Sequence, residues 1–168
     1  MAIFTLPAFL VVAVLSSMTL GYPEISLGAE IGLCLSPCPE GWFYNDERCF
    51  QLIPDKKTWL DAELNCLRLG GNLASERSQA DHEFLKKLNG NDEPFWIGLS
   101  DIHKEGTWLW SDGTSASSER DFLKWNRGQP NNAGQEHCVH SNFRDQKDWN
   151  DFDCEGTFPS ICTLRFYK

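Results

Sequence analysis

Seven cysteines constrain this chain more than any other feature of its sequence. They are Cys34, Cys38, Cys49, Cys66, Cys138, Cys154 and Cys162. No two of them form a Cys-x-x-Cys pair, and the four histidines are not at ligand spacing with them, which argues against zinc held by cysteine. A cysteine set of this size indicates disulfide bonds formed in an oxidising compartment. The odd number leaves one thiol for a bond between chains or for reaction.

The first 22 residues indicate a route to that compartment. They contain no charged side chain, and an apolar run at residues 9–15 is followed by small polar residues. This order is typical of a cleaved signal peptide, which we assign to residues 1–21, and it predicts a secreted, extracellular protein. The alternative is a signal anchor, because residues 2–20 approach the roughly 20 residues of a membrane span. Pro7 and the polar second half of the segment favour cleavage.

The remaining chain, about 145 residues, has the usual size of one domain. The formal net charge is −9, and no basic cluster exists beyond the pairs Lys56-Lys57 and Lys86-Lys87. Nucleic acid is therefore not expected as a partner.

Two stretches have the periodicity of amphipathic helices, and we expect both helices to have a structural role. The first begins after Thr58, which can cap it, ends at Gly70-Gly71, and has as its apolar positions Trp59, Ala62, Cys66 and Leu69. The second begins near Ser78, ends at Asn89-Gly90, and has as its apolar positions Phe84, Leu85 and Leu88. Aromatic-rich segments predict a hairpin over residues 38–50 and short strands at 95–101 and 106–114. Three short apolar pieces follow at 137–140, 149–154 and 158–166. Residues 115–142 predict a long loop, which is typically functional or disordered.

Oxygen-bearing side chains are concentrated from this loop to the strand that follows it. They are Gln129, Asn131, Glu136, Asn150 and Asp151. Such donors suit Ca²⁺, which takes about six to eight oxygens. Pro130 fixes its own φ and biases Gln129 toward an extended conformation, so the two flanking amides can project the same way. The alternative is an ordinary polar loop.

An ordered set of short motifs resembles the C-type lectin domain over residues 38–168. The set comprises the two helices, the cysteine spacing and the motifs Trp96-Ile97-Gly98-Leu99, Trp110-Ser111-Asp112-Gly113, Gln129-Pro130-Asn131 and Trp149-Asn150-Asp151. The resemblance implies an α+β fold with two helices, small antiparallel sheets, disulfide staples and a long calcium- and sugar-binding loop. Small soluble lectins of fish and of some venoms are similar in layout.

The resemblance also implies the disulfide pairing. The implied pairs are Cys38 with Cys49, Cys66 with Cys162, and Cys138 with Cys154. Cys34, in the lead segment of residues 22–37, has no partner in the family pattern. We interpret it as a bridge to a second copy of the chain, with a free or glutathione-capped thiol as the alternative.

The same resemblance assigns both metal binding and carbohydrate binding to one set of residues. These are Gln129, Asn131, Glu136, Asn150 and Asp151, with the backbone carbonyl of Asp151 as a further ligand of the Ca²⁺ cofactor. Lectins of mannose preference usually have Glu-Pro-Asn here and those of galactose preference Gln-Pro-Asp, whereas this chain has Gln-Pro-Asn. The ligand set therefore has one carboxylate fewer than either form, which predicts weaker calcium binding and leaves the sugar undetermined.

A second calcium position of the family falls on Asp101, Glu105, Asn132 and Glu136. His137 stands where a further acid is expected, which argues against occupancy. His137 and His140 show no other ligand pattern and are expected to be structural. Trp149 either packs in the core, which we expect, or stacks on a sugar ring.

No nucleophile, phosphate-loop or metalloprotease motif indicates an enzyme. The sequence predicts a secreted calcium-dependent lectin that binds glycans, in innate defence or as a venom component. Two alternatives remain: an ice-binding protein that uses the same calcium site, and a calcium-independent lectin-like protein that binds another protein.

Overall fold

The computed structural model describes residues 37–90, 92–116 and 121–165. In chain order the elements are β1 (Phe43–Asn45), β2 (Arg48–Lys57), α1 (Trp59–Arg68), β3 (Asn72–Leu73), α2 (Gln79–Asn89), β4 (Phe95–Ser100), β5 (Leu109–Trp110), β6 (Cys138–Phe143), β7 (Asp148–Phe152) and β8 (Phe158–Arg165). The signal peptide, the lead segment up to residue 36 and Cys34 lie outside the described residues.

Both helices begin and end at residues that cap them. The hydroxyls of Thr58 and Ser78 each accept a hydrogen bond from the backbone N–H three residues later, at 3.2 and 3.1 Å. Helix α2 ends at Gly90, whose φ of 71° is a left-handed conformation that glycine adopts without strain. The predicted helices are confirmed. Leu69, the last apolar position of the first pattern, is 43% exposed, because α1 ends at Arg68 and Leu69 lies beyond it.

The strands form one mixed sheet rather than the small antiparallel sheets that were predicted. The strand order is β1-β2-β8-β4-β6-β7, and β3 and β5 add to β8 and β4. Strand β8 pairs antiparallel with β2 and parallel with β4, where Trp96 lies opposite Ser160. Among the described strands this parallel pair joins the two halves into a single sheet. The pairing connects segments about sixty residues apart, so local patterns could not predict it.

Three disulfide bonds tie α1 and two segments at the ends of strands to this sheet. They are Cys38–Cys49, Cys66–Cys162 and Cys138–Cys154, the pairs that the resemblance implied. The second bond spans 96 residues and ties α1 to β8. The third joins the start of β6 to the chain just after β7. It therefore ties the start of β6 to the end of β7, the strand that carries Asn150 and Asp151, whereas Gln129, Asn131 and Glu136 lie on the preceding loop.

The core lies on both sides of β4, whose six residues are all buried. One cluster centres on aromatic and aliphatic residues, among them Phe50, Leu85, Ile97, Leu99, Trp110 and Trp149. The other contains the cysteines of two disulfides, Cys66–Cys162 and Cys138–Cys154, together with Trp59 and Trp96. Gly98 lets the backbone of β3 approach β4 closely, because a Cβ at Gly98 would lie 2.7 Å from the carbonyl oxygen of Leu73. Within the described ranges, neither helix is long and apolar enough to cross a membrane.

Candidate functional site: an oxygen-rich loop tip

The long loop between β5 and β6 is fixed at its base against β7. The backbone N–H of Asn126 donates to the carbonyl of Trp149 at 2.8 Å, and its side-chain amide donates to the carbonyl of Phe143 at 3.0 Å. The backbone N–H of Gln129 then donates to the carbonyl of Asn126 at 2.9 Å. The Gln129-Pro130 peptide bond is cis. The tip of the loop, residues 129–136, starts from this anchored base.

Asp151, a fully buried residue of β7, is the point on which the tip closes. Its Oδ2 accepts hydrogen bonds from the backbone N–H groups of Asn131 at 2.9 Å and Asn132 at 2.7 Å. Its Oδ1 lies 3.2 Å from the same N–H of Asn131. Hydrogen bonds to a charged acceptor are stronger than those between neutral groups. The carboxylate therefore holds the loop tip against the sheet.

Two further oxygens converge on one backbone donor in the tip. The N–H of Ala133 donates to Asn131 Oδ1 at 2.9 Å and to Glu136 Oε2 at 3.0 Å. The N–H of Glu136 in turn donates to Asn132 Oδ1 at 2.8 Å. Side-chain oxygens of Asn131, Glu136 and Asp151 are thus bound by three successive backbone amides, those of residues 131–133. We call the five residues Gln129, Asn131, Glu136, Asn150 and Asp151 the oxygen cluster.

The remaining two members of the oxygen cluster differ in how they are satisfied. Asn150 donates its side-chain N–H to the backbone carbonyl of Asp151 at 2.5 Å, and the same nitrogen lies 3.2 Å from Nε2 of His140. Gln129 Oε1 is buried and finds no hydrogen-bond donor among the described residues. A buried acceptor without a partner is unfavourable unless a donor or a cation completes it. No hydrogen bond links the described Gln129 side chain to the other four members.

The pKa of Glu136 is raised above its ordinary value of 4.5. Partial burial is the largest cause, and the nearby carboxylates of Asp151 and Asp153 add to it. The hydrogen bond from the N–H of Ala133 acts in the opposite direction. A cation beside these carboxylates would lower the free energy of their charged forms. The electrostatics of the cluster therefore favour cation binding.

The oxygen cluster fits calcium by its donor chemistry. Every predicted ligand atom is an oxygen from a carboxylate, an amide or the Asp151 backbone carbonyl, and Ca²⁺ accepts all three kinds. The unpartnered oxygen of Gln129 and the carboxylates at Glu136 and Asp151 agree with this assignment. The backbone N–H groups that donate to Asp151 do not use all of its lone pairs, because a carboxylate has about four lone-pair sites. The Asp151 carboxylate can therefore also bind a cation.

Trp149 lies under the oxygen cluster and belongs to the core, as expected. It is fully buried, and its ring centroid is 5.7 Å from those of Trp110, Phe122 and Trp125. Its indole N–H donates to Oε2 of the buried Glu76 at 2.6 Å. The ring therefore supports β7 rather than offering a face to a ligand.

His140 also lies behind the cluster, on β6 opposite Asn150. It is 1% exposed and packs against aromatic rings of Trp96, Phe143 and Phe158. Burial lowers the pKa of His140 from 6.5 to about 4. The imidazole is therefore neutral at physiological pH and can accept from the Asn150 side chain.

A second group of side chains lies where β4 ends and β6 begins. Nδ1 of His137 is 2.9 Å from Asp101 Oδ1 and 3.4 Å from Glu105 Oε2. We call these three residues the histidine cluster. Asn132 and Glu136, which the second calcium position also included, lie beside it. The side-chain N–H of Asn132 donates to Glu105 Oε2 at 2.8 Å. Glu136 instead directs its Oε2 to the N–H of Ala133, within the oxygen cluster.

The sequence did not indicate three features of this site. The backbone N–H groups of residues 131–133 are invisible to a search for side-chain ligands. The resemblance implied that His137 stands at the second calcium position, but not that its Nδ1 contacts Asp101 and Glu105, 36 and 32 positions earlier in the chain. The support of Trp149 by Glu76 spans 73 positions. The presence of His137 where an acid was expected was the available signal for the second feature.

The fold and the loop define the class of protein. Two helices, a mixed sheet, three disulfides and an oxygen-lined loop tip folded over the β6–β7 pair are the features of a C-type lectin-like domain.

Comparisons with known proteins give the family: the chain belongs to the Lectin C-type domain family, whose model matches residues 55–164. Aligned over 170 residues, it is 60% identical to the lactose-binding lectin l-2 of Anguilla japonica, covering 100% of each chain. It is 37% identical to the galactose-specific lectin nattectin of Thalassophryne nattereri, over 82% of this chain and 87% of the relative. Among solved structures, the herring type II antifreeze protein is 35% identical with a TM-score of 0.71, covering 77% of this chain and 100% of that one.

Proposed function

We propose that this protein is a secreted, non-enzymatic lectin that binds galactose-type sugars, lactose among them, through Ca²⁺ at the oxygen cluster. The observation that supports the site best is that backbone N–H groups of the loop tip bind side-chain oxygens of Asn131, Glu136 and Asp151. In the same segment, Gln129 Oε1 is buried without a partner among the described residues. The lactose-binding and galactose-specific relatives support the class of sugar.

The five residues of the oxygen cluster serve both the ion and the sugar in this proposal. Bound Ca²⁺ supplies a flexible coordination sphere that two vicinal sugar hydroxyls can enter. Carboxylate oxygens of Glu136 and Asp151 accept hydrogen bonds from those hydroxyls, and the side-chain amides of Gln129, Asn131 and Asn150 can donate to them. The hydrogen bonds from residues 131 and 132 to Asp151 keep these groups in place before the sugar arrives. Preorganisation of this kind reduces the entropy cost of binding.

The choice of galactose-type sugars does not come from the Gln-Pro-Asn motif, which combines features of the two forms. The residues that follow, Asn132 to Glu136, include no aromatic side chain on which a galactose face could stack. We therefore propose that hydrogen bonds at the ion, rather than stacking, distinguish the sugars. Because no stacking contact adds to these hydrogen bonds, we expect single sugars to bind weakly.

Retention on immobilised lactose tests the proposal directly. The mature protein is applied in Ca²⁺, and we expect it to be eluted by a chelator and by free lactose but not by equal mannose. Elution by mannose alone would contradict the sugar assignment. Retention that survives the chelator would contradict the role of calcium.

The similarity to the herring antifreeze protein supports one second candidate, ice binding at the same loop. An ice-binding protein lowers the freezing point below the melting point in a way that added sugar does not change. Measurement of this gap, with and without chelator, separates the two functions. We expect no gap at concentrations that saturate the lactose matrix.

Cys34 carries a separate proposal, a disulfide-linked homodimer. Non-reducing electrophoresis should show a doubled mass that the Cys34→Ser variant abolishes, whereas a wild-type monomer band would contradict the dimer. Two linked lectin domains would raise the apparent affinity for surfaces that display many sugars.

A further inference from the structure

The histidine cluster is held together by the sheet and not only by attraction between its charges. Asp101 directly follows β4 and His137 directly precedes β6. The backbone N–H of Asp101 donates to the carbonyl of His137 at 3.1 Å, which extends the pairing of Ser100 with Cys138. Glu105 reaches the pair from the turn that follows Asp101. The three side chains would therefore meet in this place even without an ion between them.

We propose that Asp101, Glu105 and His137 form a binding site for a divalent transition metal of the zinc class, separate from the calcium of the oxygen cluster. One ligand atom from each residue lies within 4.8 Å of the other two, and no other group of His, Cys, Asp or Glu in the described part of the chain shows such an arrangement.

The donor types select against calcium at this cluster. Ca²⁺ prefers oxygen ligands throughout, whereas imidazole nitrogen suits zinc and its neighbours among the transition metals. Two carboxylates and a neutral imidazole would carry two negative charges, which a divalent ion balances. The residue that weakens the family's calcium position, His137, is the one that suits the other class of metal.

The distances also suit a small tetrahedral ion. Bonds of about 2.0–2.2 Å to nitrogen and oxygen give ligand-to-ligand edges of about 3.3–3.6 Å around tetrahedral zinc. The His137 Nδ1 to Glu105 Oε2 distance of 3.4 Å already matches such an edge, and the 2.9 Å distance to Asp101 Oδ1 requires a widening of a few tenths of an ångström. Both distances from His137 are therefore within a few tenths of an ångström of those around a tetrahedral ion.

Neighbouring groups orient two of the three ligands, as is usual in metal sites. Asp101 Oδ2 accepts from the N–H of Gly106 at 2.7 Å, so its Oδ1 is left to face His137. Glu105 Oε2 accepts from the side chain of Asn132 at 2.8 Å. The Asp101 side chain is fully buried, whereas 31% of His137 and 57% of Glu105 are exposed. An ion can therefore reach the site from solvent, and water can complete its coordination.

Calorimetric titration with ZnCl₂ tests the site on the whole mature protein, freed of metals and carrying no polyhistidine tag. The Cys34→Ser background is used because a thiol would itself bind zinc, and Ca²⁺ is present in excess to fill the oxygen cluster. We expect one equivalent of zinc at micromolar or tighter affinity. The His137→Ala variant should bind at least about 100-fold more weakly, since even loss of a supporting partner costs 10–100-fold.

Two further variants distinguish a built site from chance contact. His103→Ala removes an exposed histidine of the adjacent turn and should leave zinc affinity unchanged. His137→Asp creates an all-oxygen set and should lose zinc but gain a second equivalent of Ca²⁺. Circular dichroism checks that each variant is folded. Co²⁺ should give the intense visible absorption of tetrahedral coordination with wild type, and His137→Ala should abolish it.

Three results would overturn the proposal. The first is no heat of zinc binding to the wild-type protein, which would leave the contacts as hydrogen bonds between His137 and the two carboxylates. The second is equal zinc affinity in wild type and His137→Ala, which would place the ion elsewhere. The third is complete displacement of zinc by excess Ca²⁺, which would make the cluster an ordinary calcium position.

Discussion

The oxygen cluster and the histidine cluster take adjacent residues from the end of the long loop, Glu136 and His137, yet their donor atoms differ in one decisive respect. The first has only oxygen donors and takes its charge from Glu136 and Asp151. The second has the same number of carboxylates, Asp101 and Glu105, together with the imidazole of His137. The two clusters have the same number of carboxylates, but only the second includes a nitrogen donor. The comparison teaches that net charge attracts a divalent cation, whereas the type of donor atom decides which cation is preferred.

The two clusters also differ in what holds them in place. The oxygen cluster depends on the backbone amides of the loop tip, which bind Asp151. The histidine cluster depends on the continuation of the β4–β6 pairing. Asn132 connects them: its backbone N–H donates to Asp151 at 2.7 Å, and its side chain donates to Glu105 at 2.8 Å. Substitutions in either cluster should therefore disturb the loop tip more than the sheet, because Asn132 of the loop tip contacts both clusters.

The largest expected effect comes from Asp151→Asn, which breaks the oxygen cluster alone. The substitution removes a charge from the ligands and weakens the acceptor that holds the N–H groups of Asn131 and Asn132. We expect calcium affinity to fall by at least about 100-fold, with loss of retention on lactose.

Asp153→Asn is the matched control, because this exposed residue lies two positions away and carries the same charge. Calorimetry with Ca²⁺ and with zinc measures both clusters in each variant. Calcium affinity that falls equally in the two variants would contradict a specific role for Asp151.

The second prediction uses the histidines, which differ between the clusters in burial. His140, behind the oxygen cluster, has its pKa lowered by burial to about 4. Because its neutral form is favoured in the fold, its contribution to stability is present above pH 6.5 and is lost as pH falls from 6.5 toward 4. The loss amounts to about 3 kcal/mol over that window.

Chemical denaturation at several pH values, with chelator present and the disulfides intact, measures this loss. His140→Gln keeps an acceptor for the Asn150 side chain but does not titrate, so its stability should change less between pH 6.5 and 4. His103→Gln, at an exposed position, should follow the wild type. Parallel curves for wild type and His140→Gln would refute the prediction.

The third prediction sharpens the contrast by adding charge to the oxygen cluster. Asn131→Asp keeps the oxygen that accepts from the N–H of Ala133 and restores a third carboxylate. Calcium affinity should rise by about tenfold, since affinity follows ligand charge. Zinc affinity at the histidine cluster should change little. Calorimetry checks both, and calcium binding that is no tighter would mean that the missing carboxylate does not limit the site.

The smallest effect concerns Glu136, whose pKa is raised mainly by burial and then by Asp151 and Asp153. A raised pKa means that the charged form is disfavoured in the calcium-free fold, so stability from this group is present at low pH and is lost as pH rises through the folded-state pKa. Glu136→Gln should therefore raise the neutral-pH free energy of unfolding, by less than about 1 kcal/mol.

The same variant should lose the stabilisation that Ca²⁺ gives to the wild type. Thermal unfolding with chelator and with Ca²⁺ measures the two opposite changes together. Glu83→Gln, on the exposed side of α2, is the control that should respond to calcium like the wild type. Destabilisation of the calcium-free protein by Glu136→Gln would contradict the electrostatic argument.

The sequence by itself determined the elements and donors whose causes are local. Thr58, Ser78 and Gly90 set helix ends through contacts within four residues, and helical spacing placed Ala62 and Cys66 on the buried face. The oxygen-bearing residues could be read directly, because donor chemistry belongs to the side chain itself.

Only the tertiary structure decided how distant segments meet. The parallel contact of Trp96 with Ser160 merged the expected small sheets into one. The closing of the loop tip on Asp151 assigned backbone amides to a carboxylate about twenty positions away. Pairing between the end of β4 and the start of β6 brought His137 to Asp101. Such contacts depend on strand register and loop path, which are settled by the burial of the whole core and not by any stretch of a few residues.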